Sequence, residues 1–215
     1  MKLKDFSLVA LALCIVATLG LAEPLTAAGP QAESKKGKNL HRTFSSPNAV
    51  VIPDATTANP YPSTIKVSGF KKGKIKDVDL QLRGFNHGNS DDVDVLLVAP
   101  NGRTAVLMSD VGGNTNAASL TLTLDDEATA PLPDGAPLTS GAFQPANHAG
   151  AGDDFPGAPA PSGQTALSTF DGGNPNGTWQ LFVVDNAGGA VGAFSGGWDL
   201  TITAKIKKDK NHKKH

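Results

Sequence analysis

The chain has 215 residues, of which 24 are glycine and 15 are proline, and its formal net charge is −1. So many glycines argue against long helices, because glycine is a poor helix former. The acidic residues are concentrated between Asp79 and Asp199, where the net charge is −12, whereas residues 29–78 carry +6 and residues 205–215 carry +5. The basic residues are not interleaved with aromatic ones and the central part is acidic, which argues against nucleic-acid binding.

The start of the chain predicts a secretory signal peptide over residues 1–28. A basic start and an apolar run over residues 6–22 lead to small-residue cleavage signals after Ala22 or Ala28. The alternative is a retained membrane anchor, because the run approaches the roughly 20 residues that a bilayer requires. Cleavage predicts an exported protein that is extracellular, periplasmic or at the cell surface. It also removes Cys14, the single cysteine, so the core or bound ions must hold the exported domain together.

The next segment, residues 29–62, is predicted to be a flexible lead rich in basic residues and proline, with room for one short edge strand. Residues 63–204 predict an all-β domain, an antiparallel β-sandwich or jelly roll of about eight strands. Residues 205–215 are a tail rich in lysine and histidine.

Alternation of apolar and polar side chains carries the strand predictions, since a period of two is the pattern of a half-buried strand. The predicted strands are residues 64–67, 75–82, 93–99, 104–109, 119–124, 178–184 and 197–206. Residues 71–74 and the pair Asn101-Gly102 are predicted to close hairpins between neighbouring strands.

One connection, residues 125–170, is unusually long and rich in proline and glycine. Loops of this length are uncommon in compact domains and are often functional. The alternative is a crossover that packs over one sheet. Four large apolar side chains are spaced as anchors for such a crossover, namely Phe143, Phe155, Leu167 and Phe170.

The two tryptophans, Trp179 and Trp198, alternate with apolar neighbours and are predicted to be buried. That leaves Tyr61, Phe85 and Phe194 as candidate surface platforms for a sugar.

Two segments carry a resemblance to a known family. The first runs from Asp92-Val93-Asp94-Val95 into Ala99-Pro100-Asn101-Gly102, and the second is Trp179-x-Leu181-x-Val183-Val184-Asp185 followed by Trp198-x-Leu200. In this order they resemble the P domain, the jelly-roll module that follows the catalytic domain of proprotein convertases and occurs in many bacterial secreted proteins. The resemblance covers residues 75–203. Arg103 departs from the small hydroxyl residue usual in the family, and we expect no accompanying subtilisin-like catalytic domain.

Oxygen-rich loops predict a calcium site, because calcium prefers about six to eight oxygen ligands from carboxylates, amides and the backbone. The candidate ligands lie in or beside three such loops and are Asp91, Asp92, Asp94, Asp153, Asp154, Asp171, Asn174 and Asp185. The alternative is that these residues form ordinary turns. Zinc is disfavoured, since the predicted domain has only His87 and His148 as nitrogen ligands and has no thiol.

No catalytic set is expected in this chain. It has no Gly-x-Ser-x-Gly motif, and nothing in the spacing of His87 and His148 selects either as the base for a nucleophile. We therefore expect a non-catalytic exported module, stabilised by calcium, that binds a protein or an envelope polymer. Two alternatives remain: an accessory domain that stabilises a separate subtilisin-like serine protease, and a carbohydrate-binding module. A membrane would be contacted only by the signal peptide before its cleavage.

Overall fold

The computed structural model describes residues 38–148 and 152–207. The predicted signal peptide lies outside the described residues. The described part is built from strands, with two short 3-10 turns at Ser90–Asp92 and Leu167–Phe170. Neither turn is long and apolar enough to cross a membrane, and no other helix is described.

Within the described ranges, twelve strands form two sheets, so the all-β sandwich expected from the sequence is confirmed. In chain order they are β1 (Lys38–Ser46), β2 (Val50–Ile52), β3 (Ser63–Val67), β4 (Lys74–His87), β5 (Val93–Val98), β6 (Thr104–Ser109), β7 (Ala117–Leu124), β8 (Gly141–Phe143), β9 (Ala146–Asn147), β10 (Gly177–Asp185), β11 (Gly192–Phe194) and β12 (Trp198–Ile206). The first sheet has the order β1-β12-β4-β11-β2, with β7 paired to β4 and β8 to β7. The second has the order β3-β10-β5-β6-β9. Only the β6–β9 and β7–β8 pairs are parallel.

Both tryptophans lie in the core between the sheets, as predicted. Trp179 and Trp198 are each 0% exposed. Their indole nitrogens donate hydrogen bonds to the Pro175 carbonyl oxygen at 3.0 Å and to Ser63 Oγ at 2.9 Å. Burial of these rings therefore leaves no polar atom of the indole without a partner.

The predicted surface platforms Phe85 and Phe194 are not at the surface. Both rings are fully buried and pack on each other, with 5.0 Å between their centroids. Strict alternation from Leu82 would point Phe85 outward, but the register of β4 against β7 shifts between these two residues. Gly84 lies within this irregularity with a φ of +65°, a conformation that favours glycine. The irregularity returns Phe85 to the core.

One predicted hairpin forms and the other does not. β5 and β6 are antiparallel neighbours, and the Gly102 amide donates to the Ala99 carbonyl oxygen at 2.9 Å in the turn between them. By contrast, β3 pairs with β10 in the second sheet while β4 lies in the first. Residues 71–74 therefore connect two sheets. Phe70, which is buried beside this connection, anchors the crossing in the core.

The sandwich begins before residue 63, the predicted boundary. β1 pairs with β12 along all nine of its residues, and two of the three side chains of β2 are fully buried. The lead expected over residues 29–62 thus contains two strands. The pattern of β1 is weak in the sequence because Leu40 and Phe44 are its only large apolar side chains, and both are only partly buried.

The long connection packs over the sandwich through the four anchors expected from the sequence. Leu167 and Phe170 are buried in the main core, and Phe143 packs against its edge. Phe155 is also buried, but in a second apolar cluster on the outer face of the second sheet. Both faces of that sheet are therefore covered by apolar contacts.

Candidate metal centre

Three aspartates meet at one end of the strands of the second sheet. Asp94 lies in β5, Asp110 directly follows β6, and Asp153 belongs to the long connection. One carboxylate oxygen of each lies within 4.8 Å of those of the other two. The start of β5 and the end of β6 lie side by side here because the two strands are antiparallel neighbours. The long connection passes here because Asn147 in β9 pairs with Ser109 at the end of β6.

Asp94 is the buried member of this aspartate cluster. Asp94 is 1% exposed, and its Oδ2 accepts a hydrogen bond from Asn186 Nδ2 at 2.9 Å. Oδ1 has no hydrogen-bond partner among the described residues. Burial raises the pKa of Asp94 to about 7; the nearby Ser109 side chain opposes this rise, and the negative charge of Asp153 adds to it. A buried carboxylate in this state is stable either as the protonated acid or beside a cation.

The other two carboxylates share too few hydrogen-bond donors. Ser109 Oγ lies 2.7 Å from Asp110 Oδ2 and 2.9 Å from Asp153 Oδ1. A hydroxyl group has one proton and can donate to only one of them at a time. Asn147 Nδ2 donates to Asp153 Oδ2 at 2.5 Å. The cluster is therefore richer in acceptors than these side chains can satisfy.

The two arginines of the acidic central part of the sequence are engaged elsewhere. Arg83 Nη1 lies 3.2 Å from Asp199 Oδ2 in an ion pair. Arg103 Nη1 donates to the carbonyl oxygens of Thr169 and Asp171, each at 3.0 Å. Neither guanidinium group is in place to neutralise the aspartate cluster.

The aspartate cluster opens into a cleft of about 580 Å³. Its walls come from the β2–β3 connection, from the long connection and from the end of β10. The residues that line the cleft around the cluster include Ala55, Thr56, Thr57, Asp154, Pro156 and Val184. A small cation can reach the carboxylates through this opening.

A second buried polar network supports the cluster from the side. His87 Nε2 lies 3.1 Å from Asp185 Oδ2, and His87 Nδ1 lies 2.6 Å from the carbonyl oxygen of Asn89. Asn89 Nδ2 donates to Asp92 Oδ1 at 2.7 Å. Burial and then the charge of Asp185 raise the pKa of Asp92. Asn186, which donates to the aspartate cluster, directly follows Asp185, so the network fixes the backbone that presents this donor.

Comparisons with known proteins do not assign a family. No family model matches the chain, and no curated protein matches it. A chain in the crystal structure of a complex between the Aeromonas sobria serine protease and a chaperone is similar over 78% of this chain, at 16% identity and a TM-score of 0.38. The serine protease of Aeromonas sobria is similar over 77%, at 15% identity and a TM-score of 0.38.

This chain spans 27% of the length of each of those chains. These similarities are too distant to carry a functional argument.

The structure brings together half of the eight predicted ligands. Asp94 and Asp153 join the aspartate cluster, and Asp92 and Asp185 belong to the adjoining network. Asp154 lines the cleft with an exposed side chain. Its carboxylate is close enough to the only tyrosine, Tyr61, to help burial raise the pKa of that phenol to about 12.

The remaining predicted ligands lie elsewhere. Asp91 is half-buried in the first 3-10 turn, where burial and then the charge of Asp110 raise its pKa. Asp171 and Asn174 precede β10, whereas Asp185 ends it. A nine-residue strand separates the two groups, which corresponds to roughly 27 Å at about 3.3 Å per residue. These two residues are not part of the cluster.

Asp110 is the ligand candidate that the sequence analysis missed. It follows β6 with a φ of +51°, so the backbone turns where this strand ends. The signal in the sequence was the Asn101-Gly102 hairpin, which predicts that β6 runs back beside β5, so that a residue just after β6 lies near the start of β5. The pairing of Val95 with Met108 depends on an irregularity before Leu96 that the sequence does not signal.

Proposed function

We propose that this chain is an exported, non-catalytic β-sandwich of the P-domain type that binds calcium at Asp94, Asp110 and Asp153. The observation that carries the proposal is the buried Asp94 Oδ1, which has no partner among the described residues and belongs to a cluster of three carboxylates. The calcium-stabilised sandwich then serves as a module that binds a protein or an envelope polymer.

The donor set fits a hard cation. Calcium takes oxygen ligands from carboxylates, amides and backbone carbonyls, and the cluster offers carboxylate oxygens. Zinc usually takes nitrogen or sulfur ligands. The histidine nearest to the cluster, His87, has one ring nitrogen 3.1 Å from Asp185 and the other 2.6 Å from the Asn89 carbonyl oxygen. A bound calcium ion would supply the positive charge that the three carboxylates require.

The strand arrangement supports the P-domain type. The two segments that carry the resemblance lie in β5 and β10, which are direct neighbours, with Val95 opposite Val183. Trp198 lies in β12 in the facing sheet and shares the core with Trp179. The resemblance therefore maps onto one packed unit in the structure.

A non-catalytic role is consistent with the surroundings of His87 and His148. His41, the third described histidine, lies on the exposed part of β1, where Nδ1 is 3.0 Å from Thr203 Oγ1, away from the cleft of the aspartate cluster. His87 is buried against Asp185 and Asn89. His148 is exposed, and its Nε2 lies 3.0 Å from the Leu132 carbonyl oxygen. Neither ring is recorded within hydrogen-bond reach of a serine or threonine that could act as a nucleophile. The carbohydrate-binding alternative loses two of its three candidate platforms, because Phe85 and Phe194 are buried in the core.

Thermal unfolding with calcium, with magnesium and with a chelator tests this proposal. A ligand at 100 times its dissociation constant adds about 2.7 kcal/mol to the free energy of unfolding, which raises the midpoint by several degrees. We expect this rise with calcium for the wild type and for Asp171→Asn, a control at the far end of β10. We expect no rise for Asp94→Asn.

The Asp94→Asn variant should fold without calcium at least as stably as the wild type does, because it removes a buried carboxylate. A wild-type midpoint that does not respond to calcium would contradict the proposal. Loss of the response in Asp171→Asn, with retention in Asp94→Asn, would place the ion at the other end of the sandwich.

A further inference from the structure

The outer face of the second sheet is apolar and is covered by part of the long connection. Leu96, Val98, Val106, Phe182 and Val184 form a cluster on this face that is separate from the main core. Residues 152–159, which we call the covering segment, pack Phe155 and Ala158 on this cluster. Tyr61 completes the cover, with its ring centroid 5.0 Å from that of Phe182.

The covering segment has a polar attachment near each end. At its start, Asp153 accepts from Asn147 Nδ2 and lies 2.9 Å from Ser109 Oγ. Just past its other end, Thr104 Oγ1 donates to the Ala160 carbonyl oxygen at 3.3 Å. Between these two attachments, the Ala158 amide donates to the Phe155 carbonyl oxygen at 2.9 Å, which is a hydrogen bond within the segment itself. Asp153 is thus the attachment at the start, two residues before Phe155.

That attachment belongs to the aspartate cluster. Without a cation, the carboxylate of Asp153 lies close to that of Asp110, and like charges at such a distance repel each other. The single proton of Ser109 cannot offset this for both neighbours. With a cation between them, the same three carboxylates attract the ion and hold Asp153 in place.

We propose that cation binding at the aspartate cluster determines whether the covering segment stays on the outer apolar face of the second sheet. This inference rests on the calcium site proposed above. Release of the ion frees Asp153 and lifts Phe155, and the aliphatic side chains beneath become exposed. The chain then presents an apolar surface in low calcium and a closed surface in high calcium.

Thiol labelling of a residue under the segment tests this inference. In a Cys14→Ser background of the full chain, Val98→Cys reports on the outer cluster and Val95→Cys, on the same strand, reports on the main core. Local opening exposes the first site without the second. We expect labelling of Val98→Cys to be about tenfold faster in chelator than in calcium, and labelling of Val95→Cys to be equally slow in both.

A second variant separates the ion from the hydrogen bonds of the segment. Asp110→Asn removes one carboxylate of the cluster and leaves both recorded contacts of Asp153 to Ser109 and Asn147 in place. Combined with Val98→Cys, it should label at the same rate with and without calcium, because the ion no longer binds at the cluster. If calcium still slows the labelling of this combined variant, the inference is overturned, because calcium would then act on the segment from another place.

The midpoint of thermal unfolding is measured on the same samples. A calcium-dependent rise in the midpoint without a change in Val98→Cys labelling overturns the covering role and leaves the calcium site intact. Equal acceleration of Val95→Cys and Val98→Cys in chelator also overturns it, because the opening would then be global. No rise in the midpoint overturns the calcium site and this inference together.

Discussion

At the scale of single residues, two aspartates share a raised pKa of about 7 in different surroundings. Asp94 is fully buried beside a cleft, where a cation can replace its proton. Asp79 lies half-buried on the outer face of β4. Burial is the first cause of its shift, and the negative charges of Asp77 and Asp125 follow. Asp79 is therefore a source of electrostatic strain on the surface of the first sheet.

Asp79→Asn should stabilise the protein at alkaline pH and leave it unchanged at acidic pH. The folded-state pKa of about 7 lies above the ordinary value, so Asp79 leaves stability unaffected below about pH 4 and lowers it progressively from about pH 4 to 7. After allowance for solvent screening, the variant should gain about 1–2 kcal/mol at pH 8. Urea unfolding between pH 4 and 8 measures this. The exposed Asp134→Asn is the control, and a gain at pH 4 as large as at pH 8 would contradict the argument.

At the scale of elements, β5 shows why the second sheet needs a cover. All six residues of Val93–Val98 are buried, which means that both faces of the strand are removed from water. Apart from Asp94, its residues are all apolar, as expected for a strand that is buried on both faces. Leu97 points into the main core and Leu96 into the outer cluster. The covering segment and Tyr61 supply the layer that such a strand requires.

Phe155→Ala should destabilise the protein by about 3 kcal/mol, because it removes a buried aromatic side chain and leaves a cavity in the outer cluster. Phe143→Ala is the matched control in the same connection. Its ring is only partly buried, so we expect a cost of about 1 kcal/mol. Urea unfolding in saturating calcium compares the two. Equal losses would mean that Phe155 does not pack more tightly than the control.

At the scale of the whole molecule, charge is divided between an acidic centre and basic ends. The net charge is −12 between Asp79 and Asp199 and +5 in residues 205–215. Lys205 is part of β12, which continues to Ile206 and pairs with β1. A truncation that leaves the sheets intact therefore starts at residue 208.

Removal of residues 208–215 should leave the thermal midpoint unchanged within about 1 °C, because every described strand ends before them. It should lower the salt concentration at which the chain elutes from an immobilised anionic polymer such as heparin, since this attraction is electrostatic and screened by salt. Replacement of the four lysines in these residues by arginine keeps the charge and should keep the retention. If the truncated chain elutes at the same salt concentration as the full chain, the basic end does not mediate adhesion.

The sequence by itself determined the features that are local along the chain. Alternation identified seven strands, because side chains on successive strand residues point to opposite faces. Alternation also identified the buried tryptophans. The Asn-Gly pair identified the hairpin at Asn101-Gly102, and the spacing of large apolar side chains identified the anchors of the long connection. The residue types of the aspartate cluster were predicted in part, through Asp94 and Asp153.

Only the tertiary structure decided the features that depend on pairing between distant segments. β3 and β4 are neighbours in sequence but lie in different sheets, and β1 becomes a strand through its pairing with β12. The irregularity at Gly84 turned Phe85 inward. Asp110 joined the cluster through the register of β5 against β6. These outcomes follow from sheet pairing and packing across the core, which alternation along one segment does not encode.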